Sequence, residues 1–194
     1  MNRTKIGLFF GSFNPVHNGH LMLANYIVEY TDLDSIWFVV SPQNPHKDKK
    51  SLLRDYHRRD MLEMAVKDDS RFEVCDIEFF MPKPSYTIDT LVRLSERYPN
   101  TDFYLICGMD NIAGFKKWKN YQVILDNYHI LVYPRKNYDG GELLNHKSVS
   151  VIDAPIIEIS STFIRKAVAE NKDVRYYMPH KAYKYMIDMN FYKD

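Results

Sequence analysis

The 194-residue chain has only two cysteines, Cys75 and Cys107, both within apolar, strand-like runs. That excludes a disulfide framework and leaves two buried free thiols as the expectation. Charge of one sign is also missing: 26 Lys and Arg stand against 25 Asp and Glu, for a net +1. Such a surface has no broad field for nucleic acid or a membrane, so neither is expected as a partner, and any basic site must be local. No apolar run reaches the roughly 18 residues of a spanning helix, and no signal-peptide pattern is present, so the expected location is the cytoplasm. Three common signatures are absent as well. There is no G-x-x-x-x-G-K-[ST] loop, no G-x-G-x-x-G fingerprint and no H-E-x-x-H, so no protein-bound metal is expected. The chain has no internal repeat, low-complexity tract or clear linker.

What is present is the composition of a globular chain, 45% apolar and 26% charged, and a few concentrated motifs. The first runs from Gly11 to Leu21, G-S-F-N-P-V-H-N-G-H-L. It follows a buried-type strand, Lys5 to Phe10, and opens into a helix with Leu21, Ala24, Ile27 and Val28 on one face. A strand, a turn and a helix N-terminus present unpaired N–H groups and a partial positive charge, which suits a phosphate. Gly11 and Gly19 permit close approach of backbone, Asn14-Pro15 is a turn signal, Ser12 adds a hydroxyl, and His17 and His20 stand at the helix start. The plain alternative is an ordinary strand–helix connection with surface histidines.

The remaining pattern alternates. Strands are expected at Ser35–Val40, Phe72–Ile77, Phe103–Cys107, His129–Tyr133, Val149–Ile152 and Ile156–Ile159. Helices are expected over Asp55–Lys67 (Met61, Leu62, Ala65 and Val66 inward), from Thr87 (Ile88, Leu91 and Val92 inward), in short pieces over Asn111–Asp126, from Ser160, and from Pro179. Gln43 to Leu53 is a polar, lysine-rich loop. Alternation of this kind gives an α/β fold with a mostly parallel sheet covered by helices on both faces. Ligands of such sheets bind beyond the carboxyl ends of the strands. That rule gathers Ser12, His17 and His20; Asn44, His46 and Lys47; Gly108 and Asp110; Arg135; and Ser160, Ser161, Thr162 and Arg165 along one rim. The rim has cations, hydroxyls and histidines but no nucleophile beside a base, a mixture suited to stabilising polyphosphate charge rather than to covalent catalysis. Ile159 to Arg165, I-S-S-T-F-I-R, repeats the strand–cap–helix logic of the first motif, and Arg165 adds a planar donor fork one turn in. A plain N-cap is its bland reading.

Taken together, His17-Asn18-Gly19-His20 and Ile159 to Arg165 resemble the nucleotidyltransferase α/β-phosphodiesterase superfamily. Asn44-Pro45-His46-Lys47, Pro84 to Leu91 (P-S-Y-T-I-D-T-L), and Gly108-Met109-Asp110-Asn111 with Trp118 narrow the likeness to the bacterial nicotinate-nucleotide adenylyltransferases, in order from Lys5 to Tyr185. The resemblance implies a Rossmann-like, doubly wound single nucleotidyltransferase domain over residues 1–194, with residues from about 160 forming a helical part that carries the second phosphate motif. It implies ATP and nicotinate mononucleotide as substrates, deamido-NAD and pyrophosphate as products, and Mg2+ carried on the ATP phosphates; a homo-oligomer is left open. By motif position it assigns catalytic contacts to His17, His20, Lys47 and Arg165. ATP contacts fall to Gly11, Ser12, Phe13, Gly19, Gly108, Asp110, Arg135, Ser160, Ser161 and Thr162. Mononucleotide contacts fall to Asn44, Lys47, Thr87, Trp118 and Tyr121, with Trp118 stacking on the pyridine ring.

Two residues depart from the family's usual Gly-Gly-Thr-Phe-Asp-Pro: Phe10 stands where a glycine is common and Asn14 where an aspartate is. Asn14 is expected to keep the turn through its hydrogen bonds, and Phe10 to make the backbone less permissive. The competing functions are a sister adenylyltransferase using nicotinamide mononucleotide or phosphopantetheine, and a nucleotide-binding regulator without turnover.

Overall fold

The computed structural model describes residues 3–42 and 52–193. Asn44, His46 and Lys47 lie outside the described residues. Among the described residues six strands form one sheet: β1 (Thr4–Gly11), β2 (Ser35–Val40), β3 (Phe72–Cys75), β4 (Thr101–Gly108), β5 (His129–Tyr133) and β6 (Val149–Val151). Their order is β3-β2-β1-β4-β5-β6 and all five pairings are parallel, Phe9 standing between Phe38 and Ile106 in register. The strands are nearly continuous apolar runs because both faces are covered.

Alternate side chains go to two cores. Phe9, Phe38, Ile106 and Leu131 join α1 (Asn18–Tyr30), α2 (Asp55–Val66), α6 (Ser161–Ala169) and α7 (His180–Asp188) on one face. Leu8, Val39, Leu105 and Val132 join α3 (Thr87–Arg97), α4 (Met109–Ala113) and α5 (Tyr121–Asn127) on the other. The chain therefore leaves β1 toward one face and β4 toward the other. The two strands are neighbours, and the crevice where their exits diverge is the natural ligand site.

Several local expectations are corrected. The third strand ends at Cys75, and Ile77–Phe80 form a 3-10 turn with Ile77 and Glu78 buried. Val92 is 41% exposed, and Leu94 takes its place on the inward face of α3. Ile156–Ile159 is not a strand. β6 is already the sheet edge, and Ile157 and Ile159 instead pack against the core of α1, α2, α6 and α7. Pro179 caps α7 from outside its first turn. Both thiols are free, but only Cys107 is fully buried; burial pushes Cys107 up to about 12 and half-buried Cys75 up to about 11. Neither is a poised nucleophile.

Candidate active site

A cleft of about 450 Å3 opens beyond the carboxyl end of β1. It is lined by Ser12, Asn14, His17, Gly19 and His20 from the first motif, by Arg135 after β5, and by Ser160, Ser161, Thr162 and Arg165 from the second motif. Nine residues assigned from sequence to catalysis or ATP thus share one cavity. No carboxylate lines it among the described residues. The first turns of α1 and α6 hold no acidic side chain either, so the positive ends of these helices are left for an outside anion.

The geometry of the first motif is tightly determined. Phe13 takes the left-handed conformation (φ 44°), and its buried ring folds back over Gly11, where a side chain would collide with it. The Phe13 ring therefore serves the core and the turn rather than the cleft. It meets the His20 ring edge-on at 5.0 Å, and His20 stacks on His17 at 3.6 Å. Backbone bonds lock this pair: the His17 N–H donates to His20 Nδ1 (3.2 Å) and the His20 N–H to the His17 carbonyl (2.9 Å). With Nδ1 accepting, a neutral His20 ring carries its proton on Nε2.

His17 is buried, and its Nδ1 has no hydrogen-bond partner among the described residues. Burial, and secondarily the charge of Arg135, push its pKa down from 6.5 to about 4. Between those two values the unfolded chain binds more protons than the native one. His17 therefore contributes stability that is complete above pH 6.5 and is lost as pH falls toward 4, on the order of 3 kcal/mol in all. The expected outcome is an imidazole resonance for His17 that titrates near pH 4 and moves upward when a polyphosphate fills the cleft; proton NMR across pH 3.5–8, with and without ATP, measures it. Titration near 6.5 in both states contradicts the burial described here.

The second motif docks on the first. Ser160 is the N-cap of α6, its Oγ accepting from the Phe163 N–H (3.1 Å). Ser161 Oγ donates to the Pro15 carbonyl (2.8 Å), and Arg165 Nη1 donates to the Asn14 carbonyl (2.8 Å). Arg165 Nη2 reaches Thr162 Oγ1 at 3.3 Å. Arg135 leans on Asp110 (3.7 Å) and on the Tyr133 hydroxyl (3.3 Å). Gly108 lies directly under the Asp110 carboxylate, which occupies the space of any side chain there. Gly108 and Asp110 thus stand behind Arg135 rather than on the cleft wall.

Thr87, Trp118 and Tyr121 form a separate group. Thr87 is the first residue of α3. Lys119, next to Trp118, pairs with Asp89 in the first turn of α3 (2.8 Å) and sits 4.7 Å over the Tyr86 ring. Trp118 and Tyr121 are half-buried against the core beneath α3. They do not line the histidine cleft.

Both departures in the first motif are accommodated. Phe10 alternates with Phe9, so it turns to the opposite face of the sheet and leaves the cleft clear. Asn14 Oδ1 accepts from the Leu53 N–H (3.2 Å) and from the Tyr192 hydroxyl (2.6 Å). The turn therefore survives, tied to the far end of the chain.

Sequence reasoning missed three polar residues, of which Glu78 and Arg58 are buried and Tyr192 is half-buried. Glu78 accepts from Ser85 and Thr90 (2.8 Å each) just before α3, and burial raises its pKa. Tyr192 holds Asn14 as described. Arg58, on α2, has no exposed surface. Only Arg58 left a signal: it stands three and four residues before Met61 and Leu62, a charge on an apolar stripe.

The cytidylyltransferase-like family model matches residues 8–167. A probable nicotinate-nucleotide adenylyltransferase of Flavobacterium johnsoniae is 50% identical over 191 residues, 97% of this chain and 99% of that one. A protein of the same name from Christiangramia forsetii is 49% identical over the full length of both. Among solved structures, the Plasmodium falciparum nicotinic acid mononucleotide adenylyltransferase complexed with NaAD superposes with a TM-score of 0.81 at 22% identity, covering 97% of each chain. The same enzyme complexed with APC gives 0.80.

Proposed function

This chain belongs to the cytidylyltransferase-like family, and from that membership we propose that it is a nicotinate-nucleotide adenylyltransferase of NAD biosynthesis, working in the cytoplasm. ATP and nicotinate mononucleotide give deamido-NAD and pyrophosphate. The observation that carries the reading is the cleft itself. Two helix N-termini without acidic residues, a stacked histidine pair and two arginines converge on one cavity with no carboxylate on its wall among the described residues.

The mononucleotide phosphate is an anion at neutral pH, so the transfer needs no general base. One of its oxygens forms a bond to the ATP α-phosphorus. The bond from that phosphorus to the bridging oxygen breaks, and pyrophosphate leaves with the electron pair. Charge grows on the leaving group, and preorganised donors stabilise it. His20 offers Nε2–H at the start of α1, and Arg165, with the α6 N–H groups, holds the far phosphates. Ser12, Gly11, Gly19 and the Phe13 backbone line the turn, while Ser160, Ser161 and Thr162 shape the opposite wall. Arg135, steadied by Asp110 above Gly108, adds charge at the nucleotide side. Magnesium would be held by the ATP phosphates themselves and would neutralise part of their charge, which fits a wall of donors rather than of carboxylates. Thr87, Trp118 and Tyr121 receive the pyridine nucleotide beside the N-terminus of α3, whose first N–H groups favour the nicotinate carboxylate once Lys119 offsets the Asp89 carboxylate of that turn. Asn44 and Lys47 are assigned to the acceptor by motif alone.

The test is release of pyrophosphate by the purified protein with each substrate alone and with both. Release is expected only with both, in step with dinucleotide formation. Hydrolysis of ATP with no dinucleotide rejects the reading.

A further inference from the structure

Among the described residues Arg58 is the largest side chain that the fold encloses completely, and no carboxylate of theirs lies within ion-pair distance of it. Among the described residues its four bonds all go to backbone carbonyls. Nε donates to Leu53 (3.0 Å), Nη1 to Ser12 (2.5 Å) and Ser41 (2.8 Å), and Nη2 to Pro42 (3.1 Å). Burial opposes its charge, and Asp55 and Tyr192 favour it. A buried guanidinium is costly to keep, and only a full set of acceptors makes it tolerable. Here the acceptors belong to three different segments: the turn after β1, the exit of β2 and the entry to α2.

One of these bonds bears on the cleft. The Ser12–Phe13 peptide is trans, because the cis bonds among the described residues are at Pro15 and Pro84. In a trans peptide the carbonyl and the following N–H point in opposite directions. With the Ser12 carbonyl drawn onto Arg58, the Phe13 N–H faces away from it, between two residues that line the cleft, Ser12 and Asn14. Phe13 meanwhile sits at φ 44°, a conformation that a phenylalanine adopts only when its surroundings impose it.

We propose that Arg58 is a positioning residue of the transfer reaction, holding the Ser12–Phe13 peptide so that the Phe13 N–H donates to a phosphate oxygen of ATP. The role rests on the reading of the cleft as the seat of adenylyl transfer. A lysine at this position keeps the charge, but its donors radiate from one point and cannot span four carbonyls in three segments. R58K is therefore expected to lower kcat about 10²-fold, the cost of one misplaced transition-state donor, with a smaller change in KM for nicotinate mononucleotide. The control is L62A, on the same helix and equally buried, which opens a cavity but touches none of these carbonyls. L62A is expected to lose thermal stability and keep kcat within about threefold well below its melting temperature. If R58K, folded, has the kcat of L62A, the positioning role is wrong.

A second measurement needs no variant. On adding MgATP alone to the isotope-labelled wild-type protein, the Phe13 amide is expected to shift and gain exchange protection. An unmoved Phe13 amide while the His20 amide responds overturns the proposal, whether or not R58K folds. If the wild type makes no dinucleotide from either mononucleotide, adenylyl transfer falls, yet the Phe13 amide still reports separately on the turn that Arg58 holds.

Discussion

Replacing His20 by alanine is expected to lower kcat by about 10²–10³-fold while the KM for ATP changes little. The reason lies in how the ring is held. His20 is packed between Phe9 (6.2 Å), Phe13 (5.0 Å) and His17 (3.6 Å), and its Nδ1 is committed to the His17 N–H. The ring, and with it the direction of Nε2–H, is fixed before substrate arrives, so little reorganisation accompanies the growth of charge on the leaving pyrophosphate. Such a donor acts mainly in the transition state, and its loss appears in kcat rather than in binding. H20N is expected to recover part of the rate, because an amide can still place one N–H near the same point. Steady-state kinetics at saturating nicotinate mononucleotide separate the two parameters. A kcat within about threefold of wild type, against the loss expected for a preorganised donor, contradicts this role.

Arg165→Ala is expected to act differently, raising the KM for ATP as well as lowering kcat, for a loss of about 10³-fold in kcat/KM. Two charge-assisted bonds to phosphate at about 1.5–3 kcal/mol each account for a loss of that order. Arg165 also ties α6 to the Asn14 carbonyl, so the variant should be less stable by about 1–2 kcal/mol. Arg165→Lys separates charge from geometry: the ammonium keeps attraction for phosphate but has no planar fork. It is expected to retain ATP binding within about tenfold of wild type and to recover less of kcat. Kinetics for both variants, with melting temperatures to set a common working temperature, test this. Equal KM values for ATP in wild type and R165A argue that Arg165 is only a fastener between the motifs.

The residues that a parallel sheet makes conspicuous were also the ones legible in sequence. β2 and β5 match their expected bounds residue for residue, because a strand buried on both faces is a continuous apolar run ended by a polar or proline step. The first residue of α3, Thr87, was equally plain. The rim rule then collected His17, His20, Arg135 and Arg165 without any knowledge of distances. What escaped depends on contacts far apart in the chain. Ile156–Ile159 has a strand's composition, but Ile157 and Ile159 are drawn onto the core of α1, α2, α6 and α7 instead of pairing with the sheet. Val92 has an apolar side chain on the outer face of α3, where only packing decides. Tyr192 reaches Asn14 across nearly the whole sequence, and no local pattern encodes that bond. Arg58 went unread although it is a charge on an apolar stripe, and its four carbonyl partners come from segments that only the folded sheet assembles.

The most direct measurement is a competition. Equal concentrations of nicotinate mononucleotide and nicotinamide mononucleotide are offered with limiting ATP and magnesium, and the dinucleotides are separated and weighed by mass spectrometry. With Asp89 of the first turn offset by Lys119, the N-terminus of α3 favours a carboxylate by up to about 2 kcal/mol when partly buried, and charge-assisted hydrogen bonds add roughly 1.5–3 kcal/mol. Deamido-NAD is therefore expected in at least about tenfold excess over NAD, with one pyrophosphate per dinucleotide. Equal amounts of the two products, an excess of NAD, or no dinucleotide at all contradict a nicotinate-nucleotide adenylyltransferase.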